Sequence, residues 1–453
     1  METLVLATFA GLCALALAIK CKQWASKGGG IEGQAKGPGQ QQSQEAQLWH
    51  LQLKFFSAYF LALFADWLQG PYIYQLYSSY GFAEHRIALL FLTGFASSST
   101  FGTFTGPLAD KFGRKKLTLV FCVLYASCCA IKFSSNFWVL LSGRVIGGIS
   151  TSLLFSVFES WYVSNHLELN LPSEWMSKTF ATSTFANGVL AIGAGIVANY
   201  LAESLKYGPT APFAVAIPCF ALCFLIVALT WKENHGNPQT RLWQSYKEGA
   251  GLIWQHRPIL WIGMVQSIVE SCMYIFVFLW TPVLLVPKSA SDGPPPLGMI
   301  FSCFMVCIMI GSSLFSHLLT EKQWTPGQIL QAAATAFACC TAVCTYSAHP
   351  AATNAFRNTS FISFLVLETA IGLYFPSIGT LRSKLIPESH RATVVSWFRV
   401  PMNIITCATL LAVNHPSVAA DKRSIFATCT GLLITGVLVA SKFNRFIDKV
   451  KEK

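Results

Sequence analysis

Apolar stretches of about 18 residues or more recur along the whole chain, and they constrain its fold more than any other feature. Of the 453 residues, 53% are hydrophobic and 11% are charged, whereas soluble domains carry roughly 25% charged residues. Strands of a membrane β-barrel would be about ten residues long with alternating polarity, and no such pattern is visible. The sequence therefore predicts an all-α integral membrane protein with many spans.

Thirteen stretches are candidate membrane spans. They lie at residues 3–19, 51–76, 87–109, 116–132, 137–163, 179–202, 211–231, 258–286, 297–319, 327–347, 360–380, 392–414 and 424–442. Glu2 precedes the first span, and Lys20 and Lys22 follow it, which favours an uncleaved anchor helix over the alternative of a cleaved signal peptide. We therefore expect one extra N-terminal helix before a core of twelve.

The longest polar interruption within the core divides its twelve spans into six and six. Short similarities between "SSTFGTFTG" (98–106) and "SSLFSHLLT" (312–320) favour an internal duplication. The predicted segments are an extra transmembrane helix (1–22), a Gly/Gln-rich cytoplasmic linker (23–50), an N-terminal six-helix bundle (51–231), a central cytoplasmic loop (232–257), a C-terminal six-helix bundle (258–442) and a basic cytoplasmic tail (443–453).

The formal net charge of +12 comes from basic residues that lie between the apolar runs. If the linker is cytoplasmic and the spans alternate, most of the 32 Lys and Arg residues fall on the cytoplasmic side, as the positive-inside rule requires. We therefore expect the N-terminus outside and the C-terminus in the cytoplasm. The plasma membrane is the expected location, although the charge pattern itself gives only the orientation. The expected partner of this charge is the lipid bilayer and not nucleic acid.

Four carboxylates lie inside apolar runs, and they recur at every third core span. Asp66 is in the first core span, Glu159 in the fourth, Glu270 in the seventh and Glu368 in the tenth. An ionisable group at the bilayer centre costs about 2.5–3.5 kcal/mol or more. The spacing therefore predicts that these spans surround a polar cavity, where the acids act as coupling or gating groups and carry protons. For any single acid the alternative is a structural contact between helices.

The loop after the second core span reads "GPLADKFGRKK" (106–116). It resembles the signature loop of the major facilitator superfamily, G-x-x-x-D-[RK]-x-G-R-[RK], and lies where that superfamily has it. The matching positions, which the resemblance identifies as a gate loop, are Gly106, Asp110, Lys111, Gly113, Arg114 and Lys115. The resemblance implies an all-α, major-facilitator-like core of twelve helices in two pseudo-symmetric bundles, preceded here by the extra helix.

A narrower resemblance covers nearly the whole chain. "ADWLQGPYIYQLY" (65–77), "FVFLWTPVL" (276–284) and "WFRVP" (397–401) are similar to the molybdate-anion transporter branch of the superfamily. This resemblance implies a secondary-active transporter that takes up molybdate by alternating access. Composition and spacing alone do not indicate the substrate.

Molybdate is a tetrahedral dianion, which guanidinium groups and hydroxyl or amide donors bind best. The expected substrate-binding residues are Arg144, Arg399, Asn403, Thr406, Ser156, Trp280 and Trp397. The four acids oppose an anion unless they pair with the arginines or carry protons. A proton-coupled transporter of an organic cation or another small polar solute is therefore the alternative, and a non-transporting receptor or scaffold is a second one.

Enzyme chemistry has little support in this sequence. It contains no HExxH, GxSxG or P-loop motif, so we expect neither catalysis nor a cofactor. The 15 cysteines lie mostly inside apolar runs, where a thiol behaves as a small hydrophobe. Without a CxxC pair or a Cys/His cluster, no metal site is expected.

Overall fold

The computed structural model describes residues 1–26, 38–236, 242–285, 295–348, 353–412 and 422–451, and within these ranges every regular element is helical. Twelve of the helices are long and apolar enough to cross a membrane. One more long helix, Arg114–Ile131, begins with three consecutive basic residues and packs among them. The prediction of an all-α, multi-span membrane protein is confirmed.

In the first part of the chain, the residues that the structure describes form eight α-helices. They are α1 (Glu2–Ser26), α2 (Pro38–Gln69), α3 (Ile73–Ser79), α4 (Glu84–Phe112), α5 (Arg114–Ile131), α6 (Phe137–Glu168), α7 (Ser173–Asn199) and α8 (Ala211–Thr230). A 3₁₀ turn at Gly70–Tyr72 separates α2 from α3. The turn contains Pro71, whose missing N–H would interrupt a continuous helix.

The described residues of the second part form seven α-helices. They are α9 (Leu242–Gln255), α10 (Arg257–Leu284), α11 (Leu297–Thr320), α12 (Pro326–Ser347), α13 (Thr353–Leu385), α14 (Glu388–Ala412) and α15 (Lys422–Lys451). The shortest, α9, follows the junction between the two parts and packs against α10 and α14. A reciprocal capping box between Thr325 and Gln328 fixes the start of α12.

The two parts pack in the same pattern. In the first half α2 contacts α6, α7 and α8, and α6 contacts α4 and α5. In the second half α10 contacts α13, α14 and α15, and α13 contacts α11 and α12. The contacts between the halves are also paired, because α7 packs on α11 and α14 packs on α4. Six helices of the first half thus have a counterpart with equivalent contacts in the second: α2, α4, α5, α6, α7 and α8 correspond to α10, α11, α12, α13, α14 and α15.

The bundle has two ends, which we name by the segments they carry. The loop face is the end with residues 112–116, where α4 passes into α5, and the far face is the opposite end with residues 70–83. At the far face aromatic rings join the halves, with centroids 5.8 Å apart for Tyr74 and Phe278 and 5.8 Å apart for Trp67 and Phe301. These rings close that end of the bundle.

Small residues bring α7 and α11 into backbone contact near the far face. A Cβ atom added at Gly195 would lie 2.7 Å from the carbonyl oxygen of Gly298. The Ser302 hydroxyl also donates to the carbonyl of Ile192 across the two halves, at 2.9 Å. Crossings of this kind, with glycine and serine at the contact, are typical of helices packed within a membrane.

The extra helix α1 packs against the second half. It contacts α11, where Val5 is fully buried and the Cys303 thiol lies 3.8 Å from the Val5 carbonyl oxygen. Most other residues of α1 up to Ile19 are partly or fully exposed. An apolar helix that exposes most of its surface fits a position at the lipid boundary of the bundle.

Candidate functional site

A cavity of about 490 Å³ lies between the two halves. Its wall comes from α2, α4, α5 and α6 of the first half and from α10 and α14 of the second. Polar side chains line it on both sides, so it is the place where a small hydrophilic solute can contact both halves at once. Such an interface, near the middle of the membrane, is where transporters of this architecture bind their solutes.

The charge of the cavity wall is predominantly positive. Lys132, Arg144 and Arg399 line it, against a single carboxylate, Asp66. In the described part of the chain no acidic side chain comes within salt-bridge distance of any of the three cations. Lys132 is buried, Arg144 is partly buried and Arg399 is exposed, and the burial of a cation without an acidic partner is unfavourable. An anion bound between them would offset that penalty.

Arg144 projects from α6 towards α4. Its Nε donates to the carbonyl of Leu90 at 3.0 Å, and its guanidinium lies over the ring of Phe91, 5.1 Å from the centroid. Gly94, one turn further along α4, leaves room for this group, because a Cβ there would collide with the guanidinium. The glycine on α4 thus leaves space for the Arg144 side chain of α6. The terminal NH₂ groups of Arg144 have no hydrogen-bond partner among the described residues.

Arg399 and Asn403 bring α14 of the second half to α4. The Asn403 amide donates to the hydroxyl of Ser99. A Cβ at Gly102 would lie 3.9 Å from a terminal nitrogen of Arg399 and 3.5 Å from the Ser152 hydroxyl of α6. A guanidinium from one half and a hydroxyl from the other therefore converge on the same small residue.

Hydroxyl groups of α4 and α6 lie between the arginines. The Ser98 and Ser152 oxygens are 3.3 Å apart, and Ser156 donates to the backbone carbonyl of Ser152 at 2.9 Å. All three serines line the cavity. Because a hydroxyl proton rotates freely about its C–O bond, each could turn to an anion at the cost of a modest hydrogen bond, which is within α6 for Ser156 and between α4 and α6 for Ser98.

Three of the predicted ligands lie elsewhere. Trp280 is buried against Phe304, with ring centroids 5.5 Å apart, and the Thr406 hydroxyl donates to the backbone of Met402. The Trp397 indole donates at 3.0 Å to the carbonyl of Tyr246 on α9. None of the three belongs to the described wall of the cavity. The structure therefore brings Arg144, Arg399, Asn403 and Ser156 together and leaves both tryptophans and Thr406 outside.

The four intramembrane acids occupy separate environments. Asp66 lines the cavity and accepts a hydrogen bond from the Tyr125 hydroxyl. Glu270 accepts one from Tyr374 at 3.1 Å and lies close enough to Arg399 for their charges to interact. The other two, Glu159 and Glu368, lie respectively on an exposed part of α6 and in a buried position on α13. Of the four, only Asp66 is part of the described cavity wall.

The 106–116 loop is fastened at the loop face. Gly113 has φ +98°, which a residue with a Cβ rarely adopts, and it separates α4 from α5. Across this turn Asp110 and Arg114 form a salt bridge of 2.9 Å. The Lys115 ammonium donates at 2.8 Å to the carbonyls of Ala228 and Trp231 at the end of α8. Two of the predicted gate-loop residues, Gly106 and Lys111, have no such contact in the described structure and lie on the last turns of α4.

Two residues of these sites were not identified from the sequence. Glu233 accepts hydrogen bonds from the backbone nitrogens of Lys115 and Lys116 at 2.9 and 3.1 Å, and so caps the N-terminus of α5. Its position directly after the sixth core span was the available signal. Lys132 lines the cavity, although in the sequence it has the appearance of an ordinary orienting charge after an apolar run.

Two six-helix bundles with equivalent packing around a central polar cavity define a membrane transporter. Residues 28–373 match the model of a family described as "Sugar-transporters, 12 TM". The chain is 38% identical over 419 residues to the molybdate-anion transporter of Takifugu rubripes, covering 85% of this chain and 86% of that protein. With the molybdate-anion transporter of Xenopus laevis the identity is 39% over 391 residues, covering 85% and 84%. The chain therefore belongs to the molybdate-anion transporter family of the major facilitator superfamily.

Solved structures share the fold at low identity. A D-xylose-proton symporter has a TM-score of 0.63 at 14% identity, covering 87% of this chain and 97% of that one. A POT family transporter in complex with 5-aminolevulinic acid has a TM-score of 0.71 at 11% identity, covering 87% and 96%. The predicted major-facilitator-like core is thereby confirmed. The family also shows that this multi-pass membrane protein is a transporter and not an enzyme.

Proposed function

We propose that this protein is a secondary-active transporter that mediates uptake of molybdate. The observation that carries the proposal is the cavity wall, which holds three cations and one carboxylate, and no acidic side chain of the described residues lies within salt-bridge distance of those cations. The relatives in fish and frog are molybdate-anion transporters, and an anionic solute agrees with that charge. A tetrahedral dianion is the kind of solute that such a wall attracts and that an apolar or acidic cavity would repel.

Arg144 and Arg399 are the groups we assign to anion binding. A guanidinium presents two parallel N–H donors that match two oxygens of a tetrahedral oxyanion. Arg144 belongs to the first half and Arg399 to the second, so an anion held by both would draw the halves together across the cavity. Ser152, Ser156 and Asn403 lie beside the arginines as neutral donors. Uncharged donors of this kind fix orientation more than affinity.

Alternating access follows from the arrangement of the two halves. The rings at the far face join the halves, and the paired α7–α11 and α4–α14 contacts lie on either side of the cavity. Rocking about these contacts would open the far face and close the loop face around the same site. We therefore assign this structure to a state with the far face closed, and the solute then leaves towards the loop face.

We assign the loop face to the cytoplasm and the protein to the plasma membrane, with its N-terminus outside. The loop face carries Lys111, Arg114, Lys115 and Lys116, and the positive-inside rule places such clusters in the cytoplasm. In this orientation the closed far face is extracellular. Release towards the loop face then delivers the anion into the cell.

Asp66 is the group we assign to proton coupling. It is the one acid among the four that lines the cavity, and its hydrogen bond from Tyr125 holds the carboxylate in place. A proton on Asp66 would remove the single negative charge from the wall and favour the bound anion. Glu270, which interacts with Arg399, is assigned to gating because its charge competes with the anion for that guanidinium.

Uptake by the purified protein in liposomes tests the proposal. Molybdate, sulfate, an organic cation and a neutral sugar are compared, with and without a pH gradient, and intravesicular molybdenum is measured by mass spectrometry. Molybdate uptake above that of empty liposomes supports the proposal. Uptake of only the cation or the sugar would support a carrier for another small polar solute, and molybdate binding without flux would support a receptor; either result overturns it.

A further inference from the structure

Lys132 is a buried cation at one end of the cavity. It is 1% exposed and lines the cavity wall directly after the last residue of α5. Lysines at helix C-termini commonly stabilise the helix dipole, but their flexible stems normally carry the ammonium to water. Burial of this ammonium beside a cavity therefore requires another explanation.

The contacts of Lys132 fix its position without neutralising it. The backbone carbonyl of Lys132 accepts a hydrogen bond from the Tyr80 hydroxyl, and its backbone N–H donates to the carbonyl of Cys129 at 3.1 Å. The ammonium donates to the Tyr77 hydroxyl at 2.8 Å and lies 5.2 Å from the centroid of that ring. Tyr77 is a neutral partner, so at least one N–H of the ammonium remains to be satisfied within a protein interior.

The cavity cations lie at three depths. Lys132 is nearest the far face, Arg144 is seven residues into α6 and so about 10 Å below its far-face end, and Arg399 lies in the middle of α14. Asp66, the one carboxylate of the described wall, lines the same cavity. An anion held between Lys132 and Arg144 would therefore lie at the closed end of the cavity.

We propose that Lys132 is a third anion-binding cation of this cavity and that it sets the preference for divalent over monovalent oxyanions. This inference rests on the proposed transport of an oxyanion. A cation interacts twice as strongly with a dianion as with a monoanion of the same size and shape. Two arginines alone would bind both kinds of anion. A third cation, which is buried, raises the affinity for the dianion more than it raises the affinity for the monoanion.

Perrhenate provides the matched probe, because it is a tetrahedral oxyanion like molybdate but carries one negative charge. Dissociation constants of both anions are measured for the purified full-length protein. In Lys132→Gln we expect molybdate affinity to fall about tenfold and perrhenate affinity about threefold, because each loss scales with the anion's charge. Lys132→Arg keeps the charge and should therefore retain the ratio of molybdate affinity to perrhenate affinity. Tyr77→Phe removes the hydrogen-bond partner of the ammonium but keeps its charge, so this ratio should stay the same or increase.

Lys206→Gln is the control, because it removes an exposed lysine near the far face and outside the described cavity wall. If Lys132→Gln does not fold, Lys132→Met keeps the length of the apolar stem and takes its place. An unchanged affinity ratio in the neutral variant would overturn the role of Lys132 while leaving molybdate transport intact. Failure of the unmodified protein to bind either anion would instead overturn the proposed function.

Discussion

The guanidinium of Arg144 lies over the ring of Phe91, 5.1 Å from its centroid. The same ring packs at 5.5 Å against Phe278 of the other half, next to the rings that close the far face. A cation on an aromatic face contributes about 0.5–2 kcal/mol, more when both are shielded from water. A bound anion that draws Arg144 away from Phe91 therefore acts on the contact between the halves, which links the cavity to its closed end.

Removing either cavity arginine is expected to abolish molybdate uptake. Arg144→Ala or Arg399→Ala deletes a charge-assisted donor pair, and loss of one such contact costs about 2–5 kcal/mol, or at least 30-fold in affinity. Surface expression should persist, because neither side chain has a salt-bridge partner among the described residues. Arg86→Ala is the control, since Arg86 also lies over a ring, that of Phe137, but outside the cavity wall. Normal uptake by both cavity variants would refute the assignment.

Gly94→Ala is expected to reduce uptake without weakening the fold. The added methyl would occupy the space of the Arg144 guanidinium and displace it from Leu90 and Phe91. The helix itself should gain, because alanine is favoured over glycine by about 1 kcal/mol inside helices. Gly193→Ala on α7, where nothing lies within 4 Å of the added atom, provides the comparison. Equal uptake by the two variants, measured alongside melting temperatures in detergent, would contradict the expected displacement.

Gly298→Ala is expected to disfavour the closed far face. Its methyl group would meet the carbonyl of Gly195 and the Asn199 backbone, so α7 and α11 would have to separate. We expect uptake to fall by about fivefold, equivalent to roughly 1 kcal/mol of destabilisation of one state. Amide hydrogen exchange at the ends of α7 and α11 should rise.

Gly431→Ala on α15, where the new methyl has open space, controls for the loss of a helical glycine. Hydrogen exchange and uptake that both match this control would show that the α7–α11 contact does not govern the closed state.

Glu233→Gln is expected to loosen the loop face. The carboxylate accepts from two backbone nitrogens in the first turn of α5, and an anion at a helix N-terminus contributes about 0.3–1 kcal/mol, up to about 2 kcal/mol when partly buried. We expect a lower melting temperature and slower transport, with molybdate affinity unchanged. Glu168→Gln, at an exposed position at the end of α6, should leave all three quantities as they are. A change in anion affinity would argue that Glu233 acts on the cavity and not on the loop.

Asp66→Asn is expected to remove the effect of an imposed pH gradient on uptake. The amide keeps the size of the carboxyl group but can neither bind nor release a proton in the physiological range. Molybdate exchange at equal pH on both sides should continue, because the cations remain. Tyr125→Phe deletes the hydrogen bond to Asp66 and should weaken the pH effect without abolishing it. A gradient effect in Asp66→Asn equal to that of the unmodified protein would exclude Asp66 as the coupling group.

The helices could be predicted from sequence because apolar length is a local property of the chain. The predicted continuous span 51–76 is interrupted after Gln69 by the turn that contains Pro71, and α2 begins at Pro38, inside the predicted linker, because the first turns of this helix are polar and carry no apolar signal. Glu159, Glu270 and Glu368 were expected to line the cavity, and they lie outside its described wall. The span that carries each acid can be read from the sequence, whereas the side of the helix that faces the cavity is set by rotation and packing against neighbours.

The predicted ligands that line the cavity include those whose residue type itself requires a polar environment. Arg144 and Arg399 could be found because a guanidinium inside an apolar run is rare and needs a polar environment. Trp280 and Thr406 could not be distinguished from packing residues, since an indole or a hydroxyl is tolerated in a helical membrane interior. Lys132 was missed for the opposite reason. A lysine at the end of an apolar run usually reaches the membrane surface, and only the fold turns this one inward.

The contact of Gly195 with Gly298 has a kinetic consequence. At this contact backbone meets backbone, and the side chains that take part include the ring of Phe301 beside Gly195 and the Ser302 hydroxyl bonded to Ile192. A similar contact between backbones joins α11 to α13 at Gly311 and Gly372, within the second half. We expect a seam of backbone contacts to open with less side-chain rearrangement than an interface of interlocked large side chains requires.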